Sequence, residues 1–235
     1  MKFFGRLLDI FFPEDFTCDI CGREVFGGER FCKTCKPTVI FNDGETCPVC
    51  GRKTRVSQLC MECKSFAPSF DKAVSVFVYD GGVKKLVVGF KNGKSYLKEY
   101  FADLLYKKCR QFSDIDCICY IPMLPAAQRK RGYNQSQLLA AALSKRLGVP
   151  MLKEGLKKIK TTDQQKFLTK NERLLNLTGS MRAETKSVKG KTILLVDDVL
   201  TTGATAEAAT AELKKRGAVK VYFATVASVE LKVQP

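Results

Sequence analysis

Lys191-Thr-Ile-Leu-Leu-Val-Asp-Asp-Val-Leu-Thr-Thr-Gly-Ala-Thr205 is the stretch from which the fold is read. Residues 193–196 form an unbroken apolar run, the pattern of a parallel strand covered on both faces. Asp197 and Asp198 follow at its carboxyl end, where open α/β sheets hold their ligands. Thr201, Thr202, Gly203, Ala204 and Thr205 then lead into a helical run at residues 206–216, closed by Gly217. Free backbone N–H groups converge at such a loop, the helix dipole favours an anion, and the threonine hydroxyls add donors. Carboxylates accept from vicinal diol hydroxyls and attract Mg²⁺. A phosphate cradle beside a diol-reading acid pair describes a phosphorylated sugar. The string has neither the Gly-Lys-Ser/Thr of a Walker loop nor a Gly-x-Gly-x-x-Gly dinucleotide turn.

Residues 196–205 resemble the PRPP-binding motif of type I phosphoribosyltransferases. The resemblance implies that Asp197 and Asp198 bind the ribose hydroxyls and form the catalytic pair. It implies that Thr201, Thr202, Gly203, Ala204 and Thr205 hold the 5′-phosphate, with Mg²⁺ accompanying PRPP.

Around this stretch, strands read at residues 73–79, 115–121 and 219–229 alternate with helices at 84–90, 96–109 and 135–147. That order gives βα units and an α/β fold with a largely parallel sheet flanked by helices. Asp80-Gly-Gly and Lys91-Asn-Gly-Lys94 read as turns. Cys117 and Cys119 alternate with Ile118 in one strand and belong to the core. Pro122-Met-Leu-Pro-Ala-Ala-Gln-Arg-Lys-Arg-Gly-Tyr-Asn134 is a second loop at a strand's carboxyl end, with Asn134 at the N-cap of the next helix. Its Arg129, Lys130 and Arg131 either face the first site and hold a diphosphate or form a solvated basic turn.

Between Lys153 and Lys191 there are 11 Lys and Arg against 4 Asp and Glu. Residues 161–168 show little periodicity, and residues 171–177 read as a short helix. A long basic loop of this kind closes over an anionic ligand or tracks a phosphate backbone. Lys130, Arg131, Lys158, Lys160, Lys166 and Arg173 are the candidate nucleic-acid contacts. Tyr133 and Phe167 offer stacking faces, with packing as the ordinary alternative for each.

Residues 18–63 hold an internal repeat. Cys18-x2-Cys21-Gly-Arg and Cys32-x2-Cys35-Lys are echoed by Cys47-x2-Cys50-Gly-Arg and Cys60-x2-Cys63-Lys. A Cys-x2-Cys turn directs two thiolates at one ion, and two turns supply closed tetrahedral coordination, the arrangement of structural zinc. Iron–sulfur ligation is the weaker rival. Sequential pairing groups Cys18, Cys21, Cys32 and Cys35 at one ion and Cys47, Cys50, Cys60 and Cys63 at another; a cross-braced arrangement exchanges the second and third pairs. The sequential one is favoured because each half then closes a short loop. So small a segment has few core residues, and the metal supplies its folding energy. Arg23, Arg30, Lys33, Lys36, Arg52, Lys53 and Arg55 form a basic surface or serve solubility.

The 235 residues carry 40 Lys and Arg against 24 Asp and Glu, a formal charge of +16. That balance favours nucleic acid, phosphorylated substrates or an anionic membrane surface as partners. With no histidine, any metal site is built from Cys and carboxylates, and no imidazole serves as general base. Eleven cysteines at metal-binding spacing point to a reducing cytosol rather than a secreted disulfide scaffold. Residues 1–12 are apolar but interrupted by Lys2, Arg6 and Asp9 and stopped by Pro13. They are too short to span a bilayer and lack a small-residue cleavage site. Phe3, Phe4, Leu7, Leu8 and Phe11 share one helical face, which packs on its own domain or, secondarily, touches a membrane surface. Residues 65–69, around Pro68, read as a linker. They divide an N-terminal helix and a zinc-binding region of two four-cysteine sites (1–65) from a phosphoribosyltransferase-like domain (66–235).

Paired Cys-x2-Cys knuckles ahead of that domain, Arg131-Gly-Tyr-Asn-Gln135, and Thr162-x-x-Gln165-x-x-Leu168-x4-Arg173-x-x-Asn176 together resemble the ComF family over nearly the whole chain. The resemblance implies a ComFC-like competence protein that assists uptake of single-stranded DNA. It implies a cytoplasmic location, with the inner face of the cytoplasmic membrane as a secondary association. PRPP or a 5′-phosphorylated nucleotide is the expected pocket ligand, and a ComFA-like helicase and the inner-membrane DNA uptake channel the expected partners. The alternative is an active phosphoribosyltransferase using PRPP and Mg²⁺ with a nucleobase or amine acceptor. Leu124, Ala126 and Ala127 stand where family members often carry His and Arg, which leaves Arg129, Lys130 and Arg131 as that loop's cations. Asp163 and Gln164 likewise stand where the family tends to have proline nearby.

Overall fold

The structure, a computed structural model, describes residues 17–159 and 179–230. The helical face read at residues 1–12, the segments 161–168 and 171–177, and Lys160, Lys166, Phe167 and Arg173 lie outside the described residues. In chain order the elements after the first cysteine tetrad and a 3-10 turn (Lys36–Thr38) are α1 (Met61–Ser65), β1 (Lys72–Val78), α2 (Gly81–Lys91), α3 (Leu97–Cys109), β2 (Cys117–Tyr120), α4 (Pro125–Arg131), α5 (Gln135–Leu147), β3 (Leu156–Lys158), β4 (Met181–Ala183), α6 (Thr185–Val188), β5 (Thr192–Leu200), α7 (Ala204–Lys215) and β6 (Lys220–Ser228).

The apolar run at residues 193–196 is the middle of the sheet. β5 pairs in parallel with β6 on one side and β2 on the other, giving the order β1-β6-β5-β2 with every neighbour parallel. Because side chains alternate along a strand, Ile193 and Leu195 face one layer and Leu194 and Val196 the other. The first layer holds Cys117, Cys119, Phe223, Ala209 and Leu213 of α7, and Cys47, Cys50 and Cys60 of the second cysteine tetrad. The second holds Ile118, Phe77, and the inner faces of α2, α3 and α5 through Leu86, Phe90, Phe101, Leu105, Leu139 and Leu143. Phe77, Phe90 and Phe101 are fully buried in that second layer, each stabilising the fold by about 1.5–3 kcal/mol.

Four local features differ from the sequence reading. β5 runs on to Leu200 because β6 continues beside it, pairing Asp197 with Thr225 and Leu200 with Ser228. The two carboxylates therefore sit inside the strand and leave it on alternate faces. Residues 125–131, read as loop, form the short helix α4, with Pro125 in its first turn and Gly132 at φ 90° ending it. Gly81 and Gly82, read as a turn, open α2. β3 and β4, read as irregular, pair antiparallel with Leu156 opposite Ala183.

The cysteine-rich segment packs directly on this sheet. Val78 N–H donates to Ile40 O at 2.9 Å and Asn42 N–H to Val76 O at 2.8 Å, so residues 40–42 cover the open edge of β1. Asn42 Nδ2 adds bonds to Gly51 O at 2.7 Å and Ser75 Oγ at 2.6 Å. Ser69, in the segment read as a linker, donates its N–H to Glu207 of α7 at 2.7 Å, and its hydroxyl bonds the same carboxylate. No described helix is long and apolar enough to cross a membrane.

Gly51 lies where the second tetrad meets β1. Its φ is +63°, and a Cβ there would stand 2.3 Å from Ala73 O and 2.9 Å from Ala73 C. Both atoms are backbone and cannot turn aside, so Gly51→Ala is expected to cost at least about 2 kcal/mol, more than left-handed strain alone. Thermal unfolding of the variant measures it; an unchanged melting temperature would show that the ribbon does not bear on β1.

Candidate functional site

Each cysteine tetrad takes its first pair from a backbone hairpin and its second from a helical turn. In the first tetrad, Cys18 N–H donates to Arg23 O at 2.7 Å and Gly22 N–H to Cys18 O at 2.8 Å; in the second tetrad, Cys47 N–H donates to Arg52 O at 2.9 Å and Gly51 N–H to Cys47 O at 2.9 Å. The sequence repeat is thus a structural repeat. The sulfurs of Cys18, Cys21, Cys32 and Cys35 lie within 4.8 Å of one another, as do those of Cys47, Cys50, Cys60 and Cys63, which is the sequential grouping. Cys21 Sγ and Cys32 Sγ are 3.8 Å apart, and Cys50 Sγ and Cys60 Sγ 3.7 Å. A tetrahedron with Zn–S of about 2.3 Å has S–S edges of about 3.8 Å. The tetrads therefore fit structural zinc, which has no open position for a substrate. Cys60 and Cys63 N–H groups point at sulfurs, each at 3.5 Å, and stabilise thiolate charge. The core thiols differ: burial pushes Cys109 and Cys119 up to about 12, which leaves them unreactive.

The second site lies at the carboxyl end of β5. Asp197 Oδ1 accepts from Ser136 Oγ at 2.8 Å and from Asp198 N–H at 2.8 Å. Ser136 is held in the first turn of α5, where Asn134 caps the helix by accepting from Ser136 N at 3.0 Å and Gln137 N at 3.3 Å. Burial, with the neighbouring Asp198 charge second, pushes Asp197 up to about 7. Asp198 is buried and pairs with Lys91 Nζ of α2 at 2.9 Å. Burial opposes the Lys91 charge, but Asp198 outweighs it and holds the ammonium above its ordinary range. Lys158 of β3 is half-buried; burial lowers it against attraction to Asp197.

The phosphate-loop residues divide between two hollows. Asp197, Thr201, Gly203 and Thr205 line a small one of about 10 Å³. Thr202, Gly203 and Ala204 line a larger one of about 290 Å³ on the side of the second tetrad, with Arg52, Glu62, Phe66 and Phe70. Gly203 stands at the head of α7 with φ 82°. Of the predicted ligand set, the structure gathers Asp197, Thr201, Gly203 and Thr205 about one point, while Asp198, Thr202 and Ala204 face elsewhere.

The upstream cations are arranged differently. Arg131 Nη1 donates to Gln135 Oε1 at 3.1 Å, one residue from Ser136. Arg129 and Lys130 are exposed on α4. Tyr133 is used in packing: its hydroxyl donates to Phe90 O and accepts from Gly93 N–H at 3.0 Å. Lys158, read as a nucleic-acid contact, is half-buried and within electrostatic reach of Asp197. Sequence reasoning missed Ser136 and Lys91. It grouped Arg52 and Arg30 with a surface, whereas Arg52 is 2% exposed and bonds Glu62 and Thr201 O, and Arg30 pairs with Asp19 at 2.7 Å. The repeat marked Arg52 as the partner of Arg23, which was the one available signal.

Comparison with known proteins gives two matches to family models: a phosphoribosyl transferase domain over residues 134–232 and a double zinc ribbon domain over residues 7–64. DNA utilization protein YhgH of Salmonella typhimurium is 30% identical over 183 residues, covering 74% of this chain and 80% of that protein. Competence protein F of Haemophilus influenzae is 29% identical over 214 residues, 86% of this chain and 93% of that one. Competence protein ComFC of Bacillus subtilis is 25% identical over 224 residues, 90% of each.

The Asp197 environment makes a signed prediction. Its folded value lies above the unfolded aspartate value of about 3.9, so ionising it costs stability. That cost is absent below about pH 4, grows as pH rises, and is complete above the folded value of about 7. Asp197→Asn should therefore raise the melting temperature at pH 8 and lose that advantage toward pH 4. An equal effect at both pH values would show that burial does not govern this carboxylate.

Proposed function

From the premise that this chain belongs to the ComF family of competence and DNA-utilization proteins, we propose that it handles single-stranded DNA during natural transformation and carries a pocket for PRPP or a 5′-phosphorylated nucleotide. The observation that carries the pocket is the convergence of Asp197, Thr201, Gly203 and Thr205 at the head of α7, around a hollow with room for about one water until the loop moves outward. Backbone N–H groups at a helix N-terminus, threonine hydroxyls and a neighbouring carboxylate suit a phosphate joined to a vicinal diol. Asp197 is the diol acceptor, with Ser136 orienting it. Asp198, held by Lys91, supplies the second negative charge that raises Asp197. Mg²⁺ bound with PRPP would neutralise diphosphate charge, and Asp197 is the carboxylate placed to attract it.

The DNA role draws on the formal charge of +16 and on the names of the relatives. Arg129 and Lys130, exposed on α4 just ahead of α5, are among the described cations that support contact with a phosphate backbone. Such contacts release counterions, so affinity falls with salt.

Pentosyl transfer is the second reading, and the half-buried carboxylate at the pocket favours it. Loss of diphosphate leaves oxocarbenium-like charge on the sugar, which a nearby carboxylate stabilises. Asp197 would serve there, and no imidazole assists an acceptor, since the chain has no histidine.

Two measurements test the proposal. Calorimetric titration with PRPP–Mg²⁺ should show binding that Asp197→Asn with Asp198→Asn weakens at least about a hundredfold, with the fold retained by circular dichroism; unchanged binding removes the site. Fluorescence anisotropy of a labelled single-stranded oligonucleotide should lose at least about tenfold in affinity between about 50 and 200 mM salt. Affinity indifferent to salt, or no binding at low salt, removes the DNA role.

A further inference from the structure

The two cysteine tetrads give an internal control, because their backbones repeat and their arginines do not. Arg23 lies exposed over its own sulfurs, with Nε 3.4 Å from Cys21 Sγ and Nη2 3.8 Å from Cys32 Sγ. Arg52, at the equivalent position, reaches partners outside its tetrad. It is buried, forms an ion pair with Glu62 of α1, and donates Nη2 to the carbonyl of Thr201 in the phosphate loop, 149 residues along the chain. A guanidinium spans two acceptors at once because its donors form a rigid fork.

The wall behind the loop explains why that bond matters. Leu200, Thr202, Gly203 and Ala204 line the cavity of about 290 Å³ between the loop and the second tetrad, so on that side only part of the loop is backed by the core cluster that holds Leu200. Packing fixes a segment less tightly where one side of it is hollow. Polar ties hold it: Arg52 at Thr201, and Ser69 at Glu207 in the first turn of α7. Gly203 is shared by both hollows, so a shift of the loop toward the larger one opens the smaller one.

We propose that Arg52 is a positioning residue through which the second zinc ribbon sets the shape, and with it the phosphate affinity, of the loop at residues 201–205. The affinity part rests on the reading of the pocket as a PRPP site; the shape part does not. The first ribbon has no such role. Zinc at the second tetrad holds the hairpin that carries Arg52, so loss of that ion loosens a loop on another element.

Arg52→Met combined with Glu62→Gln removes the tie without leaving a buried charge unpaired. Zinc content by metal analysis and amide hydrogen exchange of the peptide covering residues 199–206 are measured in the ligand-free protein, and PRPP–Mg²⁺ affinity by calorimetry. With two zinc ions retained, exchange in that peptide should rise about tenfold or more and PRPP affinity fall about tenfold to a hundredfold, the weight of one charge-assisted hydrogen bond. Arg23→Met should leave both unchanged. Unchanged exchange in the double variant overturns the proposal. If the wild type binds no PRPP, the pocket reading fails while exchange still decides the tie. Should the double variant lose zinc, Arg52→Lys carries the test, since it keeps the charge beside Glu62 but lacks the fork; exchange equal to wild type then overturns the proposal.

Discussion

A strand covered on both faces dominates this molecule. β5 is buried from Ile193 to Val196 by two different layers, and its next two residues are carboxylates. Charge cannot continue into such an interior without partners, so the elements that end near Asp197 and Asp198 are the ones that can supply them. α5 supplies a hydroxyl from Ser136 and α2 an ammonium from Lys91, with Lys158 of β3 in electrostatic reach of Asp197. The site is therefore where the sheet's cover gives way to solvated loops, and its composition follows from how the buried charges are met.

The cysteine tetrads solve a related problem. Residues 17–64 contribute few large apolar side chains, and the cluster around the first tetrad is only Cys18, Val25 and Cys35 with Ile20, Phe31 and Cys32 against it. Coordination of four thiolates replaces the missing core. The two ribbons then use their surfaces differently. The first docks on α3 through Asp19, which takes Arg30 at 2.7 Å and Tyr96 Oη at 2.7 Å, with Arg30 lying 4.5 Å over the Tyr100 ring. The second enters the layer between β1 and α7, where Cys47, Cys50 and Cys60 are part of the apolar cluster itself.

How much of this was legible in the sequence depends on the range of the interaction. The β5 run, the helix after it, the cap at Asn134 and the cysteine pairs are local patterns in which each residue type states its own requirement, and all of them appear in the structure. The Cys-Gly-Arg repeat, read as a pair of metal-binding turns, is matched by a pair of hairpins. Strand length was misjudged because only β6, running beside β5 to Ser228, makes two carboxylates strand residues. Pro125 disguised α4, since proline marks a loop and a first helical turn equally well. Lys91 and Ser136 carry no local signal, and the repeat that marks Arg52 does not say what it binds. Each is ordinary in its own element and acquires a partner dozens of residues away or more.

The same distinction changes what the net charge means. A surplus of 16 positive charges suggests a basic exterior, yet several of these cations are used inside. Arg52 and Lys91 meet carboxylates at the site, Lys94 donates to Asp19 O at 2.6 Å, and Lys108 bonds Asn42 O at 2.9 Å and Asp43 at 2.8 Å. Those of Arg52, Lys94 and Lys108 bind the cysteine-rich segment to the rest of the chain. A cation paired with a carboxylate or carbonyl in this way has part of its charge offset by that partner, so it adds less to the field that attracts a polyanion. Among the described residues, steering falls to exposed groups such as Arg129 and Lys130. Charge at the surface and charge in the joints are thus separate uses of one composition, and only burial tells them apart.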